Sequence, residues 1–189
     1  MSYEQSPNII LGVSGSIAAC RAPNIVSKLS KIDANVHVVM TRQAAQFVAP
    51  LALQVLSKNE VILNQKVGSN NWQPTHIELA DNADLLLIAP ATANILGKMA
   101  CGIVDNPICE VYTALPRDTP VLVAPAMNGK MLQHPSVQRN IQQLREDGVL
   151  FIDPVVGDLA CGYQGDGKLA PIDLIANEVI RALAGAQNE

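Results

Sequence analysis

The sequence predicts an α/β fold with a three-layer, doubly wound parallel sheet, because short apolar segments alternate along it with helical ones. The clearest predicted strand is residues 85–89 (LLLIA), an unbroken apolar run typical of a strand covered on both faces. Similar apolar segments at Asn8–Val13, Asn35–Met40 and residues 119–124 are also predicted as strands. Strands separated by helices at this spacing form βαβ units, which is the Rossmann or flavodoxin-like arrangement.

The remaining elements follow from the intervals between these strands. Helices are predicted over about residues 17–31, 44–56, 108–115, 135–146 and 173–184, with another ending near residue 100. A short polar helix carrying His76 precedes the strand at 85–89, and a last short strand is predicted at 149–152. His37, in the middle of the second strand, is interpreted as a packed core histidine.

The composition indicates one globular domain over residues 1–189. The chain is 49% hydrophobic and 16% charged, and its net charge of −4 includes no basic block. This balance argues against nucleic acid or an anionic membrane as a partner. The N-terminus lacks a signal-peptide pattern, and no apolar run approaches the ~20 residues that cross a bilayer. Four scattered cysteines without a C-x-x-C pair suit a reduced cytoplasm and give no metal signal.

Small and polar residues follow the predicted strands, at the edge where open α/β sheets bind ligands. After the first strand, Gly15 permits a tight turn and Ser16 can cap the next helix, whose N–H groups attract anions. The G-x-G-x-x-G and P-loop patterns are both absent. A phosphate site and a plain turn are therefore equally good interpretations of this loop taken alone.

Two further turns have the same ambiguity. Thr41 and Arg42 follow the second strand, where a hydroxyl and a guanidinium suit a phosphate better than a ribose diol. A helix cap beside a surface arginine explains them equally well. Residues 90–94 follow the strand at 85–89 and form either a ligand site or a solvated turn capped by Thr92.

The segment 154–171 (PVVGDLACGYQGDGKLAP) shows neither helix nor strand periodicity. A loop of this length in a compact domain is usually functional, and its four glycines would let it move as a substrate lid. Cys161 lies in its middle. A cysteine in a mobile polar loop is placed for chemistry, whereas most unpaired cysteines are inert core residues, and both interpretations stand.

Four blocks occur in order in these same stretches. They are GVSGSIAA at 12–19, HIEL at 76–79 with APATAN at 89–94, PAMNGKM at 125–131 and LACGYQGDGKL at 159–169. Together they resemble the flavin-containing cysteine decarboxylases, most of all the branch that acts in coenzyme A synthesis. The resemblance implies an FMN cofactor and decarboxylation of 4′-phosphopantothenoylcysteine to 4′-phosphopantetheine, by thiol oxidation, loss of CO2 and re-reduction.

The resemblance also implies a role for individual residues. His76 corresponds to the active-site base and Cys161 to the proton donor of the final reduction. Asn128 corresponds to the residue that binds the carboxylate to be lost, in a motif completed by Met131. The implied FMN-binding residues are Gly15, Ser16, Ile17, Thr41, Thr92, Ala93, Asn94 and the backbone at Ala126. No metal ligand is implied. The family forms trimers, sometimes assembled into dodecamers, so we expect a homo-oligomer.

Related functions remain as alternatives. One is oxidative decarboxylation of the C-terminal cysteine of a peptide, which omits the reduction for which Cys161 is expected. Another is a non-catalytic flavoprotein acting as a regulatory subunit, which the joint presence of His76, Asn128 and Cys161 disfavours. A flavin prenyltransferase would lack the HIEL and PAMN blocks. The chain departs from the family pattern at Cys20-Arg21, Pro107, Leu132 and Lys168-Leu169, which bears on pocket shape and subunit packing.

Overall fold

The computed structural model describes residues 6–63, 75–158, 162 and 164–186. Its central strands are β1 (Asn8–Val13), β2 (Asn35–Met40), β3 (Leu85–Ala91), β4 (Val121–Pro125) and β5 (Leu150–Phe151). They form one parallel sheet in the order β2-β1-β3-β4-β5. The predicted doubly wound parallel sheet is confirmed.

Helices lie on both faces of this sheet. They are α1 (Ala22–Ser30), α2 (Pro50–Ser57), α3 (Thr75–Asp81), α4 (Ala93–Ala100), α5 (Pro107–Ala114), α6 (Gly129–Leu132), α7 (Pro135–Glu146) and α8 (Ile172–Ala186). No helix in the described ranges is both long and apolar enough to span a bilayer.

Alternate residues of the strands face two separate hydrophobic cores. In β3, Leu85 and Leu87 pack into one core with side chains of α1 and α8. Leu86 and Ile88 face the other core, which holds side chains of α4, α5 and α7. The sheet is therefore the middle of three layers. Because both faces of β3 are buried, every position in it is apolar, which explains the unbroken run in the sequence.

Two of the predicted helices combine a 3₁₀ segment with an α-helix that has a proline in its first turn. The segment predicted as one helix over 17–31 is a 3₁₀ helix at Ile17–Arg21 followed by α1, with a proline in its first turn. The segment predicted over 44–56 is a 3₁₀ turn at Ala44–Gln46 and then α2, which starts at Pro50. Proline fits the first turn of a helix and disfavours helical backbone just before it. Ala49, which precedes Pro50, is extended, so the prediction of one continuous helix over 44–56 is wrong for this reason. Ala22, which precedes Pro23, keeps helical backbone, so residues 17–30 are helical throughout and only their first part is 3₁₀.

The glycine-rich segment contains a β-hairpin, so its interpretation as a segment without strands is also wrong. Strand β6 (Val155–Asp158) pairs antiparallel with β7 (Gln164–Lys168). The sequence of β7 is QGDGK, which has no apolar alternation because most of its side chains do not face a core. This strand packs on the rest of the fold through backbone atoms. Such contacts do not require apolar side chains at alternate positions, so the sequence of the strand shows no strand periodicity.

Candidate functional site

The strand order creates a crevice at the carboxyl ends of β1 and β3. From β1 the chain passes to β2 on one side, and it later returns to β3 on the other side. Open sheets bind ligands at such a switch point, because the connections leave in opposite directions. The predicted turn at 14–16 and the predicted turn at 90–94 both begin at this crevice.

Ser14 joins these two turns through its buried hydroxyl. Its Oγ–H donates to the Pro90 carbonyl oxygen at 2.7 Å, and its Oγ accepts from the backbone N–H of Thr92 at 3.0 Å. Thr92 in turn caps α4 by accepting from the N–H of Ile95 at 3.4 Å. Ser14 is not among the site residues predicted from the sequence. Its only sequence signal was a small polar residue at a strand end.

The turns after β1 and β2 lie against each other. The backbone N–H of Thr41 donates to the Val13 carbonyl at 3.1 Å, and its buried Oγ1 accepts from the N–H of Ala44 at 3.2 Å. A Cβ atom at Gly15 would overlap the side chain of Gln43. Glycine at this position therefore allows the two turns to approach closely.

A cleft of about 720 Å³ opens next to these turns. Ser16 and Ile17 line it from the turn after β1, whereas Ala126 and Asn128 line it from the turn after β4. The far wall is formed by the end of β7 and the chain leading into α8. Its volume lies in the range of about 300–1,000 Å³ typical of small-molecule sites, and apolar walls with a few polar groups are characteristic of such sites.

Asn128 is fixed by its position at the start of α6. Its Oδ1 accepts from the N–H of Lys130 at 2.9 Å, which caps this one-turn helix. The same turn is bound to β3, because the N–H of Ala126 donates to the Ala91 carbonyl at 2.9 Å. Met131 follows with its side chain 50% exposed, and it is not among the residues that line the cleft.

Strand β7 packs directly on the turn that carries Asn128. The N–H of Met127 donates to the Gly167 carbonyl at 3.0 Å. Gly167 has φ +109°, and a Cβ there would overlap the Met127 carbonyl oxygen. A Cβ at Gly129 would lie 2.7 Å from the Asp166 carbonyl oxygen. Two glycines therefore permit this close approach of backbones, and the hairpin forms one side of the cleft.

His76 lies in α3 and is not among the residues that line the cleft. Its Nδ1 is 3.8 Å from Oε2 of Glu110 in α5, and the two side chains are 20% and 18% exposed. Among the described residues, no hydrogen-bond partner reaches this buried Nδ1. Glu110 is not predicted from the sequence, because a strand and a helix separate α3 from α5 along the chain and no local pattern pairs them.

The structure thus brings together part of the predicted set. Four predicted residues line the cleft: Ser16, Ile17, Ala126 and Asn128. Gly15, Thr41 and Thr92 belong to the adjoining turns, and Ala93 and Asn94 begin α4, with Asn94 exposed. Cys161 lies outside the described residues. Within the described ranges, no group of three or more His, Cys, Asp or Glu side chains is placed to hold a metal ion.

A sequence model of the family described as Flavoprotein matches residues 2–184. The chain belongs to the flavoprotein family. Its cofactor is accordingly a flavin.

Two relatives of this flavoprotein show how far the similarity extends. It is 46% identical over 171 residues to a protein of Streptococcus mutans named probable phosphopantothenoylcysteine decarboxylase, covering 90% of this chain and 96% of the relative. It is 48% identical over 162 residues to the coenzyme A biosynthesis bifunctional protein CoaBC of Bacillus subtilis. That match covers 86% of this chain and 39% of the bifunctional protein, so the chain spans well under half of that relative's length.

Two solved structures have the same architecture as this chain. A mutant PPC decarboxylase in complex with pantothenoylaminoethenethiol superposes with a TM-score of 0.85 at 33% identity, covering 94% of this chain and 98% of that one. The FMN binding protein AtHal3 superposes with a TM-score of 0.81 at 34% identity, covering 94% and 96% of the two chains.

Proposed function

We propose that this flavoprotein is an FMN-dependent phosphopantothenoylcysteine decarboxylase of coenzyme A biosynthesis. Its substrate is 4′-phosphopantothenoylcysteine and its product is 4′-phosphopantetheine. The observation that carries the proposal is the cleft where Ser16 and Ile17 meet Asn128, in a chain similar along 90% of its length to a relative with that name. The cleft and the similarity to this relative together support the proposed substrate and the proposed complete reaction cycle.

The strand-end turns fit FMN. Gly15 lies where a side chain has no room, so the turn presents backbone rather than side chains, and Ser16 caps the helical segment that follows. Such a helix start favours a phosphate group. Gly15, Ser16, Ile17 and Thr41 are therefore proposed to hold the phosphate. Thr92, Ala93, Asn94 and the backbone of Ala126 are proposed to hold the ribitol and the ring. When bound, FMN supplies a two-electron sink for oxidising the cysteinyl thiol and the hydride for the final reduction.

Asn128 is proposed to orient the substrate carboxylate in the cleft, with Met131 completing the motif. Its cap contact with Lys130 holds the side chain at the start of α6. An amide can bind a carboxylate without a formal positive charge. A full ion pair would stabilise the carboxylate before it leaves, and would therefore oppose loss of CO2.

His76 is proposed as the base and Cys161 as the acid of the reaction. His76 positions the substrate and accepts a proton as the thiol is oxidised. After CO2 has left, Cys161 would donate a proton to the carbon that lost it. The reduced product also requires the hydride that bound FMN would supply, so the proton and the hydride together restore the two hydrogens removed in the oxidation. Cys161 belongs to the segment 154–171, which we propose to act as a lid on the single FMN-binding domain of residues 1–189.

We expect a homo-oligomer, either a trimer or a dodecamer built from trimers. Leu51 and Val55 lie one turn apart on α2 and are 67% and 69% exposed, with Phe47 also exposed just before the helix. Such an apolar surface is typical of one covered by another subunit. His76 does not line the cleft of its own chain, which is consistent with a site completed by a neighbouring subunit. The cytoplasm is the expected location, and Cys20, Cys101 and Cys109 are free thiols.

The first experiment is to mix the purified protein with 4′-phosphopantothenoylcysteine and measure the product mass. Loss of CO2 alone supports the complete cycle, with its final reduction. Loss of CO2 together with two hydrogens would instead assign the oxidative reaction of the peptide-type relatives. A yellow protein that releases no CO2 would overturn the proposed substrate.

A further inference from the structure

Glu110 and His76 face each other where two helices pack together. Helix α3 packs against α5, and this packing places the Glu110 carboxylate 3.8 Å from Nδ1 of His76. Both side chains are about four-fifths buried. The contact is at ion-pair distance and is too long for a hydrogen bond. A small rotation of either side chain would close the gap, and catalytic hydrogen bonds are often long before substrate binds.

Each member of this pair lacks another partner in the described part of the chain. The Nδ1 atom of His76 is buried without a hydrogen bond there, and the described ion pair of Glu110 is the one with His76. A mostly buried carboxylate is costly unless a positive charge or a donor lies next to it. A buried ring nitrogen has the same requirement. A proton on Nδ1 directed at the carboxylate satisfies both groups.

We propose that Glu110 is a positioning residue for His76, an inference that rests on the proposed role of His76 as the base. The carboxylate holds a proton on Nδ1 of His76, which leaves Nε2 as the nitrogen that accepts a proton from the substrate. The bond made by one ring nitrogen determines which form the other takes. When Nε2 takes up the proton, the imidazolium lies beside an ionised carboxylate and is stabilised by it. Glu110 itself does not change protonation state.

Glu110 is the acidic side chain that α5 places next to His76. On α3 itself the acidic residues are Glu78 and Asp81, and the sequence of α5 (PICEVYTA) contains no other charged residue. Its remaining titratable groups are Cys109 and Tyr112, and burial raises the pKa of both, so they stay neutral near pH 7. The charge facing His76 from α5 is therefore that of Glu110 alone.

The test compares three variants of the flavin-loaded protein. Glu110→Gln removes the charge at nearly constant shape, Glu110→Asp keeps it, and Glu146→Gln on the exposed end of α7 is the matched control. We expect Glu110→Gln to lower kcat for CO2 release on the order of 10- to 100-fold, by analogy with loss of the outer partner of a metal-bound histidine. The acid limb of its pH–rate profile should move to lower pH, because the carboxylate 3.8 Å from the ring no longer stabilises the imidazolium.

Glu110→Asp should recover part of the rate and return the acid limb toward its original pH, whereas Glu146→Gln should change neither. A purely structural role would lower the melting temperature without moving the pH profile, and that result would overturn the inference. An unchanged kcat and profile in Glu110→Gln would do the same.

A second measurement does not depend on turnover. The ¹⁵N chemical shifts of the His76 ring, followed as a function of pH, should titrate at lower pH in Glu110→Gln than in the unaltered protein. Superimposable titrations would overturn the inference whatever the substrate is. If the unaltered protein shows no decarboxylation but the ring titration still shifts, the proposed function fails and the pairing of Glu110 with His76 stands.

Discussion

Ser14 and His37 show that some polar side chains in this protein support the site and the sheet rather than the chemistry. Ser14 bonds both to the carbonyl of Pro90 and to the N–H of Thr92, so one hydroxyl joins the turns after β1 and β3. His37 lies on β2, where its Nε2 is 3.0 Å from Nδ2 of Asn35. That contact is favourable when the imidazole is neutral and accepts from the amide.

Ser14→Ala should lower the free energy of unfolding by about 1–3 kcal/mol, because it leaves the N–H of Thr92 without its partner. The Pro90 carbonyl loses its bond from the hydroxyl and keeps the bond from the backbone N–H of Ser14 at 3.3 Å. It should also weaken retention of the flavin, since only the backbone bond from Ser14 to Pro90 then joins the turns on the two sides of the crevice. Chemical denaturation and gel filtration followed by the flavin absorbance measure both effects. Ser30→Ala at the exposed end of α1 is the control, and equal losses in the two variants would contradict this role for Ser14.

Because His37 is partly buried, we expect the free energy of unfolding to fall on mild acidification. Burial lowers the pKa of His37 from its usual 6.5. The unfolded chain therefore binds this proton at a higher pH than the folded protein, and the free energy of unfolding falls as the pH decreases from about 6.5 to the lowered value. The carboxyls of Asp105 and Asp173, whose pKa values are held below 3.8 by lysine partners, act at lower pH.

Replacing His37 by Gln removes this titration. Urea unfolding at pH 7.5, 6.5 and 5.5, values chosen about the usual pKa of histidine, should show a smaller decrease for His37→Gln than for the unaltered protein. Parallel decreases in the two proteins would show that His37 does not cause the acid sensitivity.

The hairpin of β6 and β7 is the element whose placement matters most for the cleft. It packs on the turn after β4 through the backbone of Gly167 and Gly129, and Gln133 donates to the Asp166 carboxylate at 3.2 Å. Side chains of β6 and β7 contribute little to the two hydrophobic cores. The position of the hairpin therefore depends on a close fit between backbones, and small changes in that fit should alter the cleft more than the core.

Gly167→Ala tests this dependence. The added Cβ overlaps the Met127 carbonyl, so we expect the hairpin to move away from Asn128 and kcat to fall by about tenfold or more, as displacements near 1 Å can produce. Gly148→Ala is the matched control, because Gly148 also has a positive φ but open space around its Cβ. Steady-state kinetics and thermal unfolding of both variants separate the overlap from the backbone strain they share. Equal losses of activity would mean that strain alone is responsible.

Across the whole molecule, two cores on opposite faces of the sheet hold the strand ends in fixed positions. The crevice between β1 and β3 exists because these strands are neighbours whose connections leave in opposite directions. One side of the molecule remains apolar and exposed at Phe47, Leu51 and Val55. His76 is not among the residues that line the cleft of its own chain, which agrees with the proposed oligomer in which neighbouring subunits complete the site.

Leu51→Arg should disrupt that oligomer. A charge placed in an apolar interface is costly to bury, so the mass measured by light scattering should fall from a multiple of three chains toward the 20.1 kDa of one chain. Flavin binding should weaken with it if subunits share the cofactor. Gln142→Arg on the exposed face of α7 is the control. An unaltered protein that already runs as a monomer would contradict the oligomer.

Local patterns in the sequence determined the sheet, its parallel strands and the polar turns at their ends. The unbroken apolar run of β3 requires burial on both faces, and the PAMN and SGS turns follow strands as predicted. The proline at the start of α2 interrupted the helix predicted over 44–56, which helix periodicity alone does not reveal.

Only the tertiary structure determined the hairpin, the bridging role of Ser14 and the contact between Glu110 and His76. Each depends on groups that are distant in sequence: β7 meets the turn after β4 through backbone atoms, and Ser14 bonds to residues 76 and 78 positions away. The carboxylate of Glu110 reaches His76 because α3 and α5 pack on one another. Periodicity and motifs indicate the helix, strand or turn to which a residue belongs. The contacts of β7, Ser14 and Glu110 form only when elements distant in the sequence pack together.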